Sequence, residues 1–357
     1  MGCGLIAQTM HLRVLADARQ FQLTAVCDAD PHVAESVRAR FGARAASTSF
    51  EDVVASPDVD AVLVATPDHY PPALAALSNG KHLLVEKPLC WTPSQGAVLV
   101  ATARDAGVVA IVGYMRLYDS AYEAAVEAAR RIGRIRYGRV HDFACRFDKD
   151  RLLYDLAVPA TSAGSPRADF GRHRLELAAA LGSDRAEHLG ERYFMLLMFG
   201  SHDLSMARGI FGDPSEVTLV HAFDEKSLVV GLDYEPSGPC LLEWSLGTRY
   251  EWFDEEVAVF GDEDALVLRL ADPFVQYARS VVTVRGRRGE GHEDRVFTSG
   301  SEDAFRREWM HFFRCIREGE RPRTPLEDGL SDLELAVEIV RRMPLPAAQP
   351  AYVEETA

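Results

Sequence analysis

The sequence has no apolar run approaching the ~18 uninterrupted residues of a membrane-spanning helix. No basic stretch followed by an apolar one stands at its N-terminus, so no secretory signal is visible, and the expected location is the cytoplasm. Paired cysteines are missing as well. Cys3, Cys27, Cys90, Cys145, Cys240 and Cys315 lie far apart, so their spacing spells neither a zinc site nor a redox pair, and reduced thiols are expected. Histidines are scattered, no cluster of metal ligands is visible, and no metal is expected. Positive charge is in short supply: 39 Lys and Arg against 54 Asp and Glu leave a net charge of -15. That balance opposes nucleic-acid phosphates and anionic lipid surfaces, and the acid excess reads as solubility. Internal repeats and low-complexity segments are absent.

What is present has the length for two cores, because 357 residues exceed the ~250–300 at which a single core stops growing. The first third alternates short apolar runs with helical periods. Strands are expected at Leu23–Cys27, Ala61–Ala65, Leu83–Val85 and Val108–Val112. Helices are expected after Asp30-Pro31, after Ser49, over Pro71–Asn79 and over Ser94–Ala106, the last two stopped by Gly80 and Gly107. Buried strands separated by helices of ~10–12 residues mean a doubly wound parallel sheet. Past residue 130 the rhythm changes to β-like runs at Gly138–Phe147, Glu216–Phe223, Ser227–Tyr234, Leu241–Leu246, Val257–Phe260, Ala265–Leu270 and Val281–Arg285, which suggests a mostly antiparallel sheet. One long helix is expected over Arg192–Phe211 and two more near 302–318 and 327–342, with a loop or lid over 159–172. The domains are expected to be 1–115 and 116–357, and the fold class α/β.

The chain opens Met1-Gly2-Cys3-Gly4-Leu5-Ile6-Ala7, a G-x-G-x-x-A pattern whose glycines let a backbone approach a pyrophosphate at a helix N-terminus. Taken alone it could be any glycine turn. Asp28 ends the next strand at the distance where a carboxylate accepts hydrogen bonds from ribose hydroxyls and repels a 2′-phosphate, which favours NAD over NADP. Such a glycine turn should follow a strand, yet only Met1 precedes it. Losing ~4 buried aliphatic side chains at ~1.5–3 kcal/mol each would cost about 6–12 kcal/mol, against the ~5–15 kcal/mol of a whole domain. The expectation is a start codon further upstream, or else a cofactor domain loosened at that edge; a stop codon immediately ahead of Met1 would reject the first alternative. Further on, Glu86-Lys87-Pro88 follows a strand. Its lysine reads equally as a solvated loop charge or as a proton donor facing a cleft.

The stretches GCGLIAQ, VCDAD, VLVATPDHY, ALSNGKHLLVEKPL, VGYMRLYDSAY, FGSHDLSMARGIFGDP and TPLEDGLSDLELA, spread nearly end to end, resemble the glucose–fructose oxidoreductase, inositol dehydrogenase and rhizopine-catabolism family, Gfo/Idh/MocA. The resemblance implies a Rossmann domain followed by an α/β domain with a large open sheet, often used for homodimer or homotetramer contacts. It implies NAD(P)-linked chemistry on sugars, polyols and related small molecules. Position by position, it implies that Lys87 is the active-site lysine and His202 the catalytic histidine. It places Thr66 and Pro67 under the nicotinamide ribose, with Glu86 as hydrogen-bonding neighbour and Arg116 lining both cofactor and substrate. His69 lies near where the family often has a loop histidine. Together with Gly2, Gly4, Leu5, Ile6, Asp28 and Lys87 these form the expected cofactor set, and Tyr118, Asp119, Asp148 and Tyr154 are candidates for the substrate shell.

One departure stands out. The family typically places an aspartate four residues before this histidine, and here that position is Met198. Asp203 points about 100° away on a helix and is no substitute. Three readings follow. The first is an NAD-dependent oxidoreductase acting on a hydroxyl or carbonyl carbon of a sugar, cyclitol or sugar-derived metabolite. The second is a reductase of an imine or unsaturated ring, suggested by Met195, Leu197 and Met198. The third is a non-catalytic NAD-binding sensor.

Overall fold

The computed structural model describes residues 1–144, 154–159, 170–224, 226–246, 252–275 and 278–345. In the N-terminal part, β1 (Ala25–Cys27) pairs in parallel with β2 (Ala45–Ser47), and β3 (Ala61–Val64), β4 (His82–Glu86) and β5 (Ala110–Gly113) form a second parallel set with β4 in the middle. Met1 and Gly2 run between the two sets. The Met1 amino group donates to the Leu63 carbonyl at 2.7 Å, Ala65 N–H to the Met1 carbonyl at 2.8 Å, and Gly2 N–H to the Cys27 carbonyl at 2.9 Å. Helices α1 (Leu12–Asp17), α2 (Pro31–Phe41), α3 (Phe50–Ala55), α4 (Tyr70–Ser78) and α5 (Pro93–Ala106) connect the strands. Asp30, Ser49 and Thr92 accept backbone N–H groups at the starts of α2, α3 and α5, as the capping preference dictates. Leu83, Leu84, Val85, Ile111 and Val112 are fully buried, so β4 and β5 are covered on both faces.

The C-terminal part is built on an eight-stranded sheet, in the order β13-β12-β11-β10-β6-β9-β8-β7. Its strands are β6 (Ile135–Phe143), β7 (Glu216–Ala222), β8 (Ser227–Asp233), β9 (Cys240–Ser245), β10 (Asp254–Gly261), β11 (Asp264–Leu270), β12 (Val281–Arg288) and β13 (Gly291–Thr298). All neighbours are antiparallel except β6 and β9. The helices here are α6 (Ser120–Ala129), α7 (Arg174–Leu181), α8 (Ser183–Phe211), α9 (Ala304–Glu318) and α10 (Leu326–Arg342). The class is therefore the expected one, a Rossmann-type unit followed by an α/β unit with a large, mostly antiparallel sheet.

Several details differ from the sequence reading, which expects neither β2 nor α6 nor α7. The long helix begins at Ser183, not Arg192, because Gly190 and the polar run before it hide the helical period without breaking the helix. Strand β13 escaped notice because nearly all of Gly291–Thr298 is exposed at the sheet edge, with no apolar alternation to read. Strand β6 ends at Phe143, and residues 145–147 of the expected strand lie outside the described residues, as do 160–169 of the expected lid. Among the described residues no helix is long and apolar enough to cross a membrane.

Candidate active site

The glycine turn is held by geometry that only glycine satisfies. Gly2 sits at φ +81°, and a Cβ there would lie 2.4 Å from the Ala65 carbonyl oxygen. At Gly4 the opposite holds: nothing lies within 4 Å of where a Cβ would stand, so that side of the turn is open. The chain becomes helical at Leu5, passes through a π-helical segment, Ala7–His11, and continues as α1. The backbone donors of this helix start face the same turn, the arrangement that accommodates an anion. Asp28 closes it. Its Oδ2 accepts from Cys3 N–H at 2.9 Å and its Oδ1 from Asp30 N–H at 3.0 Å. A carboxylate has about four lone-pair sites, so two remain for ribose hydroxyls. Burial pushes the Cys3 thiol up to about 11, which keeps it uncharged beside the turn. These residues fit a dinucleotide. Gly2→Ala is expected to lower stability by about 2–4 kcal/mol, from left-handed backbone strain plus overlap with backbone. It should also abolish dinucleotide binding, which calorimetric titration and thermal melting would read.

Lys87 follows the C-terminal end of β4, the edge at which parallel sheets bind ligands. Glu86 anchors the loop from below. Its Oε1 meets His11 Nε2 at 2.8 Å and its Oε2 accepts Lys87 N–H at 3.0 Å, while Trp309 Nε1 donates to His11 Nδ1 at 3.0 Å. The Trp309 bond makes Nδ1 the acceptor and leaves the His11 proton on Nε2, facing Glu86. Burial alone drives Glu86 upward, but the His11 bond and the Lys87 ammonium outweigh it and hold the carboxyl below the ordinary glutamate range. His69 is buried and binds the Pro88 carbonyl through Nδ1 at 2.6 Å, so it braces the lysine loop. Thr66 turns its hydroxyl to the Asp68 carbonyl at 2.6 Å, and Pro67 is exposed beside it. Gln8 adds a brace the sequence reading missed. Its amide bonds Cys3 and Ala157 carbonyls at 2.6 and 2.9 Å and accepts Ala157 N–H at 2.9 Å.

On the substrate side the Lys87 ammonium donates to the Met198 carbonyl of α8. The half-buried Lys87 is lowered by desolvation and pulled back up by Glu86, Asp142, Asp203 and Glu255. His202, one turn along α8, is driven well below the ordinary histidine value by burial and then by the Lys87 and Arg116 cations. Its Nδ1 has no hydrogen-bond partner, and its ring meets Tyr114 edge-on at 6.3 Å. Arg116 is only 3% exposed. It pairs with Glu255, donates to the Ala271 carbonyl at 2.8 Å and lies 5.4 Å from the Phe253 ring centre. Asp203 is fully buried and accepts Trp244 Nε1–H at 2.6 Å.

Lys87, His202 and Arg116 are thus gathered within one another's fields. Asp119, Tyr154 and Arg116 line a neighbouring cleft between α1 and the start of α9. There Asp119 caps α6 and accepts from Ser280, and the Tyr154 hydroxyl donates to the Phe274 carbonyl. Tyr118 lies elsewhere. It is 1% exposed, with its hydroxyl on Thr324 at 3.1 Å and Arg323 over its ring, so it packs the core under α9 and offers no polar atom to a substrate. Asp148 lies outside the described residues. Leu197 is sealed in the core, while Met195 and Met198 are partly buried and packed against it.

Two acids of this site, Asp142 and Glu255, went unnoticed in the sequence. Each holds an inward position of its strand, Asp142 in step with Gly138 and Val140, Glu255 in step with Val257 and Val259. An acid in the apolar phase of a period-two pattern was the available signal.

Over residues 1–114 the chain matches a family model described as oxidoreductase family, NAD-binding Rossmann fold, and over 192–344 one described as oxidoreductase family, C-terminal alpha/beta domain. A dTDP-3,4-didehydro-2,6-dideoxy-alpha-D-glucose 3-reductase from Saccharopolyspora spinosa is 27% identical over 321 residues, covering 89% of this chain and 79% of that protein. A scyllo-inositol 2-dehydrogenase (NAD(+)) from Bacillus subtilis (strain 168) is 24% identical over 331 residues, covering 87% and 84%. Among solved structures, a 3-ketoreductase from Actinomadura kijaniata in complex with TDP-benzene and NADP superposes with a TM-score of 0.70 over 94% of both chains, at 21% identity, a likeness of fold.

Proposed function

The chain belongs to the Gfo/Idh/MocA oxidoreductase family, and from that premise we propose that it is an NAD-dependent oxidoreductase acting on a hydroxyl or carbonyl carbon of a sugar, cyclitol or sugar-derived metabolite. The observation that carries the reading is Lys87: a half-buried ammonium at the C-terminal edge of β4, bonded to the helix that presents His202. Bound nicotinamide would accept or return the hydride. The protein's own residues handle the proton and the oxygen. Neutral His202, with Nδ1 free, is the base that takes the hydroxyl proton. Lys87 donates a hydrogen bond to the same oxygen and stabilises the negative charge that builds there as the hydride leaves. In reduction the roles reverse: the Lys87 ammonium polarises the carbonyl, and the imidazolium of His202 returns its proton to the alkoxide. Catalytic power from such a pair is typically 10²–10⁴-fold. The reading also divides the chain into a cofactor domain, 1–115, and a substrate domain, 116–357, and expects a homodimer or homotetramer.

NAD is preferred over NADP on the ground of Asp28, whose carboxylate would face a 2′-phosphate with like charge. Asp28→Ser is expected to raise NADP use relative to NAD by about tenfold or more in kcat/KM, read with both cofactors at saturating substrate. The reading as a whole is tested by offering cyclitols, free sugars and nucleotide-linked keto sugars with NAD(H) and NADP(H), following nicotinamide absorbance. Absence of cofactor-coupled turnover with every compound would reject it.

A further inference from the structure

The Lys87 ammonium has three N–H bonds to place. One goes to the Met198 carbonyl, so at residue 198 the helix offers a backbone acceptor and no carboxylate. The charges facing this ammonium come from several elements: Glu86 from its own strand, Asp203 with His202 from α8, Asp142 from β6, Glu255 from β10 and Arg116 from the turn after β5. Glu86 is held by His11, Glu255 by Arg116 and one oxygen of Asp203 by the Trp244 indole, while Asp203 Oδ1 has no hydrogen-bond partner. Asp142 is 6% exposed, and its Oδ1 is likewise buried with no hydrogen-bond partner. Burial and then the Glu255 carboxyl push Asp142 well above the ordinary aspartate range, so it ionises only with a cation brought against it.

Register explains how it reaches the site. Asp142 stands opposite Glu255 on β10 and opposite Trp244 on β9, so the three side chains form one row on one face of the sheet. The Trp244–Asp203 bond identifies that face as the one against α8. A buried carboxyl oxygen without a partner in such a place is costly unless the group is protonated or paired with a cation.

We propose that Asp142 is a positioning residue for Lys87: in the loaded site its carboxylate accepts a second ammonium N–H, leaving the third aimed at the substrate oxygen. The sheet thereby delivers the acid that α8 lacks at Met198. The inference rests on the proposed role of Lys87, but its test does not need a substrate.

The chain contains only four lysines, Lys81, Lys87, Lys149 and Lys226. Protein grown on lysine carrying ¹³C at Cε therefore gives four signals, and the one lost in Lys87→Arg is Lys87. The experiment titrates NAD-saturated wild type and Asp142→Asn by NMR. A carboxylate raises a neighbouring ammonium, so its removal should move the Lys87 midpoint to lower pH while Lys81 and Lys226 stay in place. On the best polyol, kcat should fall tenfold or more with KM unchanged. An unmoved Lys87 titration overturns the inference whatever the kinetics do. Should Asp142→Asn fail to fold, Asp142→Ser removes the same charge and is read in the same way. Full turnover in Lys87→Ala, by contrast, would strike the function proposed above and leave the titration readable.

Discussion

Lys87→Ala is expected to lower kcat about 100- to 10,000-fold on the best substrate, a barrier increase of about 3–5 kcal/mol, with dinucleotide affinity changed by no more than about threefold. The split follows from geometry. On the proposed reading the glycine turn, the helix start at Leu5 and Asp28 would grip the dinucleotide through backbone and carboxylate groups, none of them at position 87. The proposed place of the ammonium is at the oxygen, where charge develops only as the hydride moves. Lys87→Arg should recover little, because a broad planar guanidinium cannot take the place of a compact ammonium between the Met198 carbonyl and the substrate oxygen. The pH dependence has a definite sign. Desolvation lowers Lys87 below an ordinary lysine, and the facing carboxyls offset part of that. Carbonyl reduction needs the ammonium form, so its rate should fall as pH rises through that lowered value, earlier than for a solvated lysine. His202 is held well below its usual value, so in hydroxyl oxidation it is an unprotonated base through neutrality and should add no limb there. A Lys87→Ala enzyme retaining turnover within threefold of wild type would remove the lysine from the chemistry.

The Rossmann-type unit was largely legible because its determinants are local. A glycine pair, an acid at the end of the next strand and a lysine after an apolar run all declare themselves within a few residues. The local backbone then puts them on one sheet edge. Met1 is a limit case: residue count predicted a missing strand, and two residues of backbone bridge the neighbouring strands by hydrogen bonds that no pattern could announce. The substrate side was harder for a physical reason. Asp142, Asp203 and Glu255 come from two strands and a helix far apart in sequence, and their proximity depends on the register of β6 against β9 and β10. Their inward phase was visible, but partners across a sheet are not. Tyr118 was misjudged from the opposite side. Its neighbours in the GYMRLYD stretch suggested a site, while the Thr324 hydroxyl and Arg323 that claim it arrive from the far end of the chain.

Arg116→Met should cost about 3–5 kcal/mol and lower the melting temperature of the C-terminal part by about 6–20 °C, as expected when one member of a buried ion pair is removed. Glu255 is 3% exposed, and Arg116 is the cation that holds it, so the variant strands a carboxylate among Asp142 and Asp119 without compensation. Even with its partner present, burial keeps Glu255 above the ordinary glutamate value; without Arg116 it must rise further. In the window from the ordinary glutamate range up to that raised value the folded variant binds a proton that the unfolded chain does not, so stability falls as pH rises through it. The deficit against wild type should therefore be larger at about pH 8 than at about pH 5, the reverse of ordinary acid denaturation. Arg116→Met with Glu255→Gln removes charge from both partners and should recover most of the loss, because the penalty lies in the unpaired charge more than in the missing bond. A double variant as unstable as the single one would mean that Arg116 is held for its contact with Phe253 and the Ala271 carbonyl and not for its charge; a single variant melting within a degree of wild type at both pH values would mean that the ion pair contributes nothing to stability.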